Sequence, residues 1–484
     1  MPIPRRIVVI GGGMAGLAAA EELVTLAAAA TQPAEITLVE AAGRVGGVLS
    51  TVRRDGWLIE RSADNFLAAR PEAVQLVERL GLQDQLVGVD PRVRRALVWH
   101  EGRTVPAPQG FRLLAPGRIG SILTTPLLSP AARLRMLAER FVPPRSSQGD
   151  ESLESFVVRR LGREAFERLV QPLAAGIWTA DPARLSMAAA CGEFLAMERE
   201  HGSLWAGERR RARSVAAPSA AGARYGQFLA LASGMETLPE RLAVRLRERG
   251  VRFVDASAAR IERLAGGGWR TLCDRVTGPD AALDTDAVVL AVPASVATRL
   301  LASVESELAA DLRGIEYAGS AVISLGFARA DVAHPLDAAG MVIPRRARRR
   351  ILAVSFSSSK YPGRAPEGCV LMRVFAGGAL DPDVVRRDDA ALEALARDEV
   401  AELLGARGTP RLVQIDRWHG AMPQYHVGHV ERVARIMERT AALPGLGLAG
   451  AAYTGVGIPQ VIASGQAAAR QACRPVTPRG QVTP

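Results

Sequence analysis

Three glycines near the start of the chain, Gly11, Gly13 and Gly16, have the spacing of a phosphate-binding turn. The six residues before them, RRIVVI, predict a short buried strand, and the alanine-rich residues after them predict a helix. Glycine lets the backbone approach a pyrophosphate, and the first turn of a helix offers a positive dipole end. We therefore expect the adenine dinucleotide of a cofactor to contact Gly11, Gly12, Gly13, Met14, Ala15 and Gly16.

A second predicted strand, EITLVE, ends at Glu40, whose carboxylate can accept hydrogen bonds from ribose hydroxyls. Arg44, Gly46 and Gly47 follow at once, where a guanidinium can neutralise phosphate charge and glycines again permit close approach. The pattern E-x-x-x-R-x-G-G resembles the flavin amine oxidase superfamily, which favours FAD over NAD. The resulting contact residues of this segment are Glu40, Ala41, Arg44, Gly46 and Gly47.

The far end of the chain repeats this organisation. Residues 446–449 predict a buried strand, and Gly450, Gly455 and Gly457 separate it from a helix that begins near Pro459. A helix start directed at a flavin would stabilise negative charge on the reduced ring. The sequence thus predicts a cofactor domain built from both chain ends and from a middle piece near residues 234–292, where Ile261 is expected near the adenine.

Three further segments resemble the protoporphyrinogen oxidases, the oxygen-dependent flavoenzymes of haem synthesis. They are QPLAAGIW at residues 171–178, RWHGAMPQYHVGH at residues 417–429 and LAGAAYTGVGIP at residues 448–459. The resemblance extends from Ile7 to about Ala472, and its C-terminal motif is more specific than the glycine turn.

The resemblance implies an α/β protein with three parts. A Rossmann-like FAD-binding domain of discontinuous segments comprises residues 1–92, 221–296 and 415–475. A mixed-sheet substrate domain comprises residues 93–110 and 297–414, and a helical, membrane-facing domain comprises residues 111–220. Residues 476–484 are predicted to form a flexible tail.

The resemblance also assigns roles to single residues. Arg95 matches an arginine that pairs with a substrate propionate in the family. Gly176 matches a glycine whose backbone carbonyl faces the pyrrole N–H groups. Val342 and Phe375 match apolar residues that sandwich the macrocycle. Ser355 stands where some relatives have an apolar pocket residue, and residues 62–65 depart from the Gly-Pro-Asn of relatives. The remaining implied flavin contacts are Ser62, Ala63, Asp64, Asn65, Trp418, Val456, Gly457 and Ile458.

The implied reaction is the six-electron oxidation of protoporphyrinogen IX to protoporphyrin IX by molecular oxygen, with release of hydrogen peroxide. No dedicated catalytic base is expected, because a meso C–H flanked by electron-rich pyrroles can give hydride directly to non-covalently bound FAD. One alternative is oxidation of coproporphyrinogen III to coproporphyrin III. Arg95 favours protoporphyrinogen, whereas the arginines within residues 345–350 favour the second substrate with its four propionates.

Two more distant alternatives are an amine oxidase and a non-enzymatic FAD-binding scaffold. Amine oxidases often place a lysine near the flavin, but Lys360, the only lysine of this chain, is predicted to lie in a loop. The intact C-terminal flavin motif argues against the scaffold.

The composition limits partners and location. The net charge is +11, and all basic residues except Lys360 are arginine; no nucleic-acid-binding motif accompanies this charge. The four cysteines lack metal-ligand spacing, and no uncharged apolar stretch of about 20 residues is present. We expect a cytoplasmic monomer or homodimer, peripheral on the inner face of the membrane. Its predicted membrane contacts are Leu127, Leu128, Leu134 and Leu137.

Overall fold

Five parallel strands drawn from distant parts of the chain form one sheet in the computed structural model, which describes residues 5–30, 33–115, 117–146, 149–214 and 228–474. Strands and helices are numbered in chain order. The sheet order is β10 (Arg252–Asp255), β2 (Ala34–Glu40), β1 (Arg5–Ile10), β14 (Ala287–Leu290) and β20 (Leu446–Leu448). Strands β1, β14 and β20 are nearly continuous runs of buried residues, as expected for a parallel sheet covered on both faces.

Helices cover one face of this parallel sheet, and a small antiparallel sheet with further helices covers the other. The first face packs against α1 (Met14–Ala29), α2 (Pro71–Arg79), α10 (Thr237–Glu248) and α17 (Ile458–Ala472). The second face packs against β11 (Ser257–Arg263), β12 (Trp269–Asp274), β13 (Ala282–Thr285), α11 (Ala294–Leu301), α12 (Ser306–Arg313), α15 (His429–Ala441) and α16 (Ala451–Thr454).

Two small sheets complete this part of the molecule. The hairpin consists of β3 (Thr51–Arg54) and β4 (Trp57–Glu60), and the other sheet has the order β5 (Phe66–Leu67), β9 (Phe228–Leu231) and β6 (Leu86–Gly88).

Helices α1 and α17 touch along their lengths and join the two ends of the chain. A methyl group added at Gly465 would lie 2.2 Å from the carbonyl oxygen of Ala15, so only glycine allows this close approach. The guanidinium of Arg5 donates to the carbonyls of Ala472 and Cys473 at 3.0 and 3.1 Å. The first strand and the last helix are thereby fixed to each other.

A second, seven-stranded sheet lies beside the first. Only its β16–β7 pair is parallel among the described strands. Its order is β19 (Leu412–Pro423), β15 (Tyr317–Ala328), β18 (Cys369–Gly377), β17 (Ala353–Phe356), β16 (Gly340–Val342), β7 (Ala96–His100) and β8 (Arg103–Pro106). The predicted α/β class, with a discontinuous dinucleotide sheet and a mixed second sheet, is confirmed.

One face of the seven-stranded sheet is apolar and packs against α14 (Asp389–Leu404). The strands alternate, so the residues between those apolar ones point to the opposite face. Between β17 and β18 the chain forms α13 (Ser357–Lys360). The prediction of a loop at Lys360 was wrong, because this short helix carries the lysine into the interior, where it is 6% exposed.

Residues 119–214 are largely helical and form the helical lobe. Its helices are α3 (Ile119–Thr124), α4 (Pro130–Leu137), α5 (Leu153–Leu161), α6 (Arg163–Ala165), α7 (Gln171–Trp178), α8 (Met187–His201) and α9 (Leu204–Ser214), with a π-helical turn at Phe166–Val170. The leucines predicted to face a membrane do not share one surface: Leu127 and Leu128 are buried in the lobe, whereas Leu134 is 65% exposed.

The predicted domain boundaries can be placed on these elements. The boundary at residue 297 falls inside α11, and the buried residues of α11 belong to the same hydrophobic core as the parallel sheet. The boundary at residue 415 falls inside β19 of the seven-stranded sheet. The predicted flexible tail, residues 476–484, lies outside the described residues.

Within the described part of the chain, no helix is both long enough and apolar enough to cross a membrane.

A buried ion network holds the helical lobe together. Arg160 is 0% exposed and pairs with Glu139 and, at 3.2 Å, with Glu198. It also donates to the carbonyls of Val142 and Gly202 at 2.8 and 2.9 Å. Removing one partner of such a network leaves the opposite charge buried and unpaired.

We expect Arg160→Met to lower the free energy of unfolding by about 3–5 kcal/mol, because Glu139 and Glu198 lose their buried cation. Urea denaturation followed by circular dichroism measures the change. The matched control is Arg163→Met, whose ion pair with Glu154 is on the surface and whose side chain is 57% exposed. Equal loss of stability in the two variants would contradict the assignment.

Candidate functional site

The carboxyl ends of the parallel strands define the candidate site. Ile10, Leu290 and Leu448 are level with one another in the register of β1, β14 and β20. The loops that follow these strands, and the loop after β2, therefore lie at one edge of the sheet. Ligands of open α/β sheets bind at this edge.

The glycine turn after β1 has the shape that the sequence predicts. Gly11 has a φ of +105°, and a methyl group at Gly16 would lie 1.8 Å from the carbonyl oxygen of Gly11. Helix α1 starts at Met14 without a side-chain cap and without an acidic residue in its first turn. No acidic residue of the helix's own first turn neutralises its positive N-terminal end, which suits a bound phosphate.

Glu40 joins this turn to the one after β2. Its carboxylate accepts hydrogen bonds from the backbone N–H of Gly12 at 2.6 Å and of Ala42 at 2.8 Å. The N–H of Gly46 donates to the carbonyl of Gly12 at 2.9 Å, and Gly13 forms a bridge with Gly46. The predicted ribose acid and the two glycine turns therefore form one surface.

Arg44 borders the same surface. Its guanidinium donates to the carbonyls of Val45 and Gly47 and lies 3.7 Å from the carboxylate of Glu236. The side chain is 38% exposed. Its proposed role against a phosphate stays a prediction, while its contacts show that it shapes the loop of residues 45–49.

Ile261 lies apart from this surface. It is 0% exposed in β11 and belongs to the core between the small antiparallel sheet and the parallel sheet. Alternation along β11 directs its side chain into this core, which explains its apolar character, and its contact with the adenine stays a prediction.

The C-terminal motif reaches the same edge. Gly457 precedes α17, which has a proline in its first turn and no acidic residue there. Ile458 is buried beside the parallel sheet, while Val456 packs against the helical lobe. The motif thus spans the border between the core of the parallel sheet and the core of the helical lobe.

The stacked side chains of Tyr425 and His429 pack against this motif. The Tyr425 hydroxyl donates to the carbonyl of Ala451, and the Tyr425 ring stacks on His429 with 4.4 Å between centroids. Burial, reinforced by the charge of Arg432, lowers the pKa of His429 to about 4. The neutral His429 therefore packs on Tyr425 and brings no charge to the motif.

Residues 61–65 lie across the seven-stranded sheet. The Trp418 indole donates to the carbonyl of Arg61 at 2.9 Å, and Arg61 Nε lies 2.6 Å from the Asp416 carboxylate. Arg373 donates to the carbonyl of Ser62, and Ala63 is exposed. Ser62, Ala63, Asp64, Asn65 and Trp418, all predicted to contact the flavin, are thus brought together.

Asp64 is the charged centre of this segment. Burial alone would raise its pKa, but the ammonium of Lys360 and the guanidinium of Arg373 outweigh burial and hold the pKa of Asp64 at about 2. The Lys360 ammonium contacts the carboxylate, and Arg373 Nη1 lies 3.3 Å from it. The segment therefore carries a permanent carboxylate that two buried cations fix in place.

The surface that we call the open face is the uncovered part of the seven-stranded sheet beside this segment. Phe375 pairs in register with Ala353, and Ala353 with Val342. These side chains are half-buried although their neighbours on the α14 side are fully buried. The open face consists of Gly340, Val342, Ala353, Ser355 and Phe375.

Helix α7 covers one border of the open face. A methyl group at Gly176 would come within 3.9 Å of Val342 Cγ1, and Gly176 itself is exposed. The structure therefore places Gly176 beside Val342, and Val342 in register with Phe375 through Ala353. We call the space over the open face, between α7 and residues 61–65, the chamber. Ser355 lies on its floor, and its Oγ has no hydrogen-bond partner among the described residues.

Arg95 is not part of this group. It is 46% exposed and pairs with the carboxylate of Asp337, and its Nε donates to the Asp337 carbonyl at 2.9 Å. It precedes Ala96, the first residue of β7, by one position, and alternation places it opposite to Ala96. The predicted propionate contact would require Arg95 to leave Asp337.

The residues that sequence reasoning missed are Arg373, Asp416 and Lys360 as a partner of Asp64. A signal for Arg373 exists in the sequence: it is the only charged residue in the otherwise apolar segment VLMRVF at residues 370–375. A charge within a buried strand requires a partner. The identity of that partner, Asp64, depends on a contact between distant segments.

The residues present fit an adenine dinucleotide. The space in front of Gly13 is open except for the backbone of Gly47, 3.9 Å from an added methyl group. An uncapped helix start, a ribose acid and this gap between glycines provide room and charge for a pyrophosphate. Contact of the isoalloxazine ring with segments 61–65 and 456–458 stays a prediction from the sequence.

Comparisons with known proteins agree with this geometry. The sequence model of the family of flavin-containing amine oxidoreductases matches residues 14–473. A relative from Bacillus subtilis (strain 168), named coproporphyrinogen III oxidase, is 33% identical over 472 residues, which are 97% of this chain and 98% of that protein.

Two other relatives carry a different substrate in their names. The chloroplastic protoporphyrinogen oxidase 1 of Arabidopsis thaliana is 29% identical over 472 residues, covering 93% of this chain and 84% of that protein. A crystal structure of a provisionally assigned protoporphyrinogen oxidase from Exiguobacterium sp. 255-15 superposes with a TM-score of 0.83 at 30% identity, covering 96% and 98% of the two chains. The cofactor is FAD.

We expect Glu40→Gln to weaken FAD binding about 10- to 100-fold, because a charge-assisted hydrogen bond contributes about 1.5–3 kcal/mol. Fluorescence titration of the apoprotein with FAD measures this. The control is Glu35→Gln, at the exposed start of the same strand. Wild-type affinity in Glu40→Gln would show that the carboxylate does not bind the cofactor.

Proposed function

Because the chain belongs to the family of flavin-containing amine oxidoreductases, we propose that it oxidises coproporphyrinogen III to coproporphyrin III in haem biosynthesis. The observation that carries this proposal is the open face, a half-buried, mostly apolar sheet surface between the flavin-contacting segment 61–65 and α7. A flat-bottomed chamber beside a flavin suits a macrocycle better than a small amine. Relatives named for porphyrinogen oxidation support it.

Bound FAD supplies the two-electron acceptor in this site. Phe375 and Val342 hold the macrocycle by apolar contact, and the exposed backbone of Gly176 is available to orient its pyrrole N–H groups. Residues 61–65 close the flavin side and exclude water from the reacting carbon. The protein contributes position and shielding, so no side chain on the open face has to act as a base.

The choice of coproporphyrinogen III depends on the charges around the chamber. Arg95 is the residue on which the sequence-based preference for protoporphyrinogen depends, and it is paired with Asp337 away from the open face. Arg345, Arg346 and Arg348 are exposed in the β16–β17 loop and form no ion pair with any described carboxylate, while the backbone N–H of Arg345 donates to Gln171 of α7 at 2.9 Å. Basic groups beside α7 suit a substrate with four propionates.

Protoporphyrinogen IX is the second candidate substrate. The exposed Arg95–Asp337 pair contributes little stability, because both side chains are about half exposed and screened by solvent. Arg95 could therefore exchange Asp337 for a substrate carboxylate. The name of the Arabidopsis relative favours this substrate.

Oxygen as the terminal acceptor and hydrogen peroxide as its product belong to the same proposal. The resemblance to oxygen-dependent enzymes supports both.

We expect anaerobic coproporphyrinogen III to bleach the flavin absorbance of the purified enzyme at least tenfold faster than protoporphyrinogen IX. Stopped-flow mixing with each porphyrinogen separately measures the two rates. Faster bleaching by protoporphyrinogen IX would reverse the choice of substrate. Bleaching by neither compound, but by a primary amine, would overturn the proposed function.

The helical lobe carries a candidate membrane contact that we call the apolar tip, composed of Ile119, Leu123, Leu134 and Phe141. Their exposed fractions are 43%, 45%, 65% and 72%. Arg140 lies 4.5 Å over the Phe141 ring. Exposed apolar residues flanked by arginine fit an anionic lipid surface, so we propose peripheral attachment on the cytoplasmic face of the membrane.

We expect Leu134→Ser/Phe141→Ser to lose most co-sedimentation with vesicles that contain anionic lipid at low salt. The double substitution removes the two most exposed apolar side chains of the tip. Leu380→Ser is the control, because Leu380 is 39% exposed outside the helical lobe. Equal binding by the double variant and the control would exclude the apolar tip as the contact.

A further inference from the structure

Five charged side chains form a buried cluster behind residues 61–65. Lys360 and Arg373 contact Asp64, and Arg364 lies 3.8 Å from Glu60. Four of them are at most 6% exposed, and the fifth, Asp64, has a side chain 15% exposed. The cluster therefore holds three cations and two carboxylates out of water.

Lysine at position 360 is notable in a chain whose other basic residues are all arginine. Arginine and lysine differ in shape: the guanidinium is a planar fork, whereas the ammonium is compact. Arg373 Nη1 and the Lys360 ammonium both lie on Oδ2 of Asp64, Arg373 at 3.3 Å, while Oδ1 accepts a hydrogen bond from Asn65 Nδ2 at 2.7 Å. A compact ammonium fits beside a guanidinium on one oxygen more easily than a second planar fork, which explains a lysine at this position.

The cluster extends toward the chamber. The Arg373 guanidinium lies 5.1 Å from the centroid of the Phe375 ring on the open face, and it donates to the carbonyl of Ser62. Its buried Nε has no hydrogen-bond partner among the described residues. The cluster is thus in contact with both the floor of the chamber and the segment predicted to touch the flavin.

We propose that Lys360 is a positioning residue for the flavin: through Asp64 it fixes residues 61–65, and it gives the cluster the excess positive charge that favours reduction of the bound ring. This inference rests on the proposed function, because it requires residues 61–65 to contact the flavin. A buried cation near the ring stabilises the negative charge gained on reduction. Removal of Lys360 and removal of the Asp64 charge should therefore act in opposite directions.

The experiment is a redox titration of the purified holoenzyme and its variants against reference dyes. Lys360→Met makes reduction of the bound flavin at least tenfold less favourable, a fall of about 30 mV in midpoint potential for a two-electron couple. Asp64→Asn makes reduction more favourable. The double variant Lys360→Met/Asp64→Asn returns close to the wild-type potential, and Lys360→Arg, which keeps the charge, stays within about threefold of it.

The control is Arg349→Met, whose ion pairs with Glu399 and Glu402 lie on the α14 side of the same sheet. It should leave the potential unchanged. Potentials that do not respond to either single substitution, or that shift in the same direction for both, would overturn the inference even if the variants lose stability. If Lys360→Met does not fold, the midpoint potentials of Asp64→Asn and of the double variant still show whether each charge shifts the flavin potential in the expected direction.

The failure of the two proposals can be told apart. A holoenzyme that binds flavin and oxidises porphyrinogen, but whose flavin midpoint potential is unchanged in Lys360→Met, contradicts this inference alone. A wild-type protein that binds no flavin contradicts both.

Discussion

The contact between α1 and α17 is the constraint on which the rest of the molecule depends. Gly465 brings α17 against the backbone of Ala15, and Arg5 binds the carbonyls that end α17. Gly465 is the eighth residue of α17 and meets the second residue of α1, so the start of α17 extends about two turns beyond the start of α1 at the carboxyl edge of the parallel sheet. Two helix N-termini without acidic residues in their first turns then converge on one site. A pyrophosphate or a reduced ring placed at these helix starts would be stabilised by their positive dipoles.

The second sheet turns that cofactor site into a reaction chamber. Its alternating strands bury one face against α14 and leave the other to residues 61–65, to α7 and to the open face. Because β16 and β17 come from the middle of the chain and residues 61–65 from its start, neither segment forms the chamber alone. Buried cations, Lys360 and Arg373, hold the two together through Asp64. Charge thus fixes the chamber on the side of residues 61–65, and apolar packing fixes it on the α7 side.

Local patterns predicted the parts of the structure that depend on neighbouring residues. The strand–turn–helix units around Gly11–Gly16 and Gly450–Pro459 follow from glycine spacing and apolar runs, and both units are present. Features that depend on tertiary packing were not predictable. Ile261 is core because of the sheet that β11 joins, and Lys360 is buried because α13 turns it inward. A leucine pair in the helical lobe, Leu127 and Leu128, is interior, whereas Phe141 is at the surface. These segments are too short for the periodicity of their apolar residues to show which side chains face the interior.

The most direct test of the central claim is the stoichiometry of aerobic turnover with a porphyrinogen. We expect the purified holoenzyme to form porphyrin, seen by its Soret absorbance, with about three molecules of hydrogen peroxide for each porphyrin, because the six electrons leave in pairs. Porphyrin formed without peroxide would contradict oxygen as the acceptor. A bound flavin that stays oxidised when porphyrinogen is added in the absence of oxygen would contradict porphyrinogen oxidation altogether.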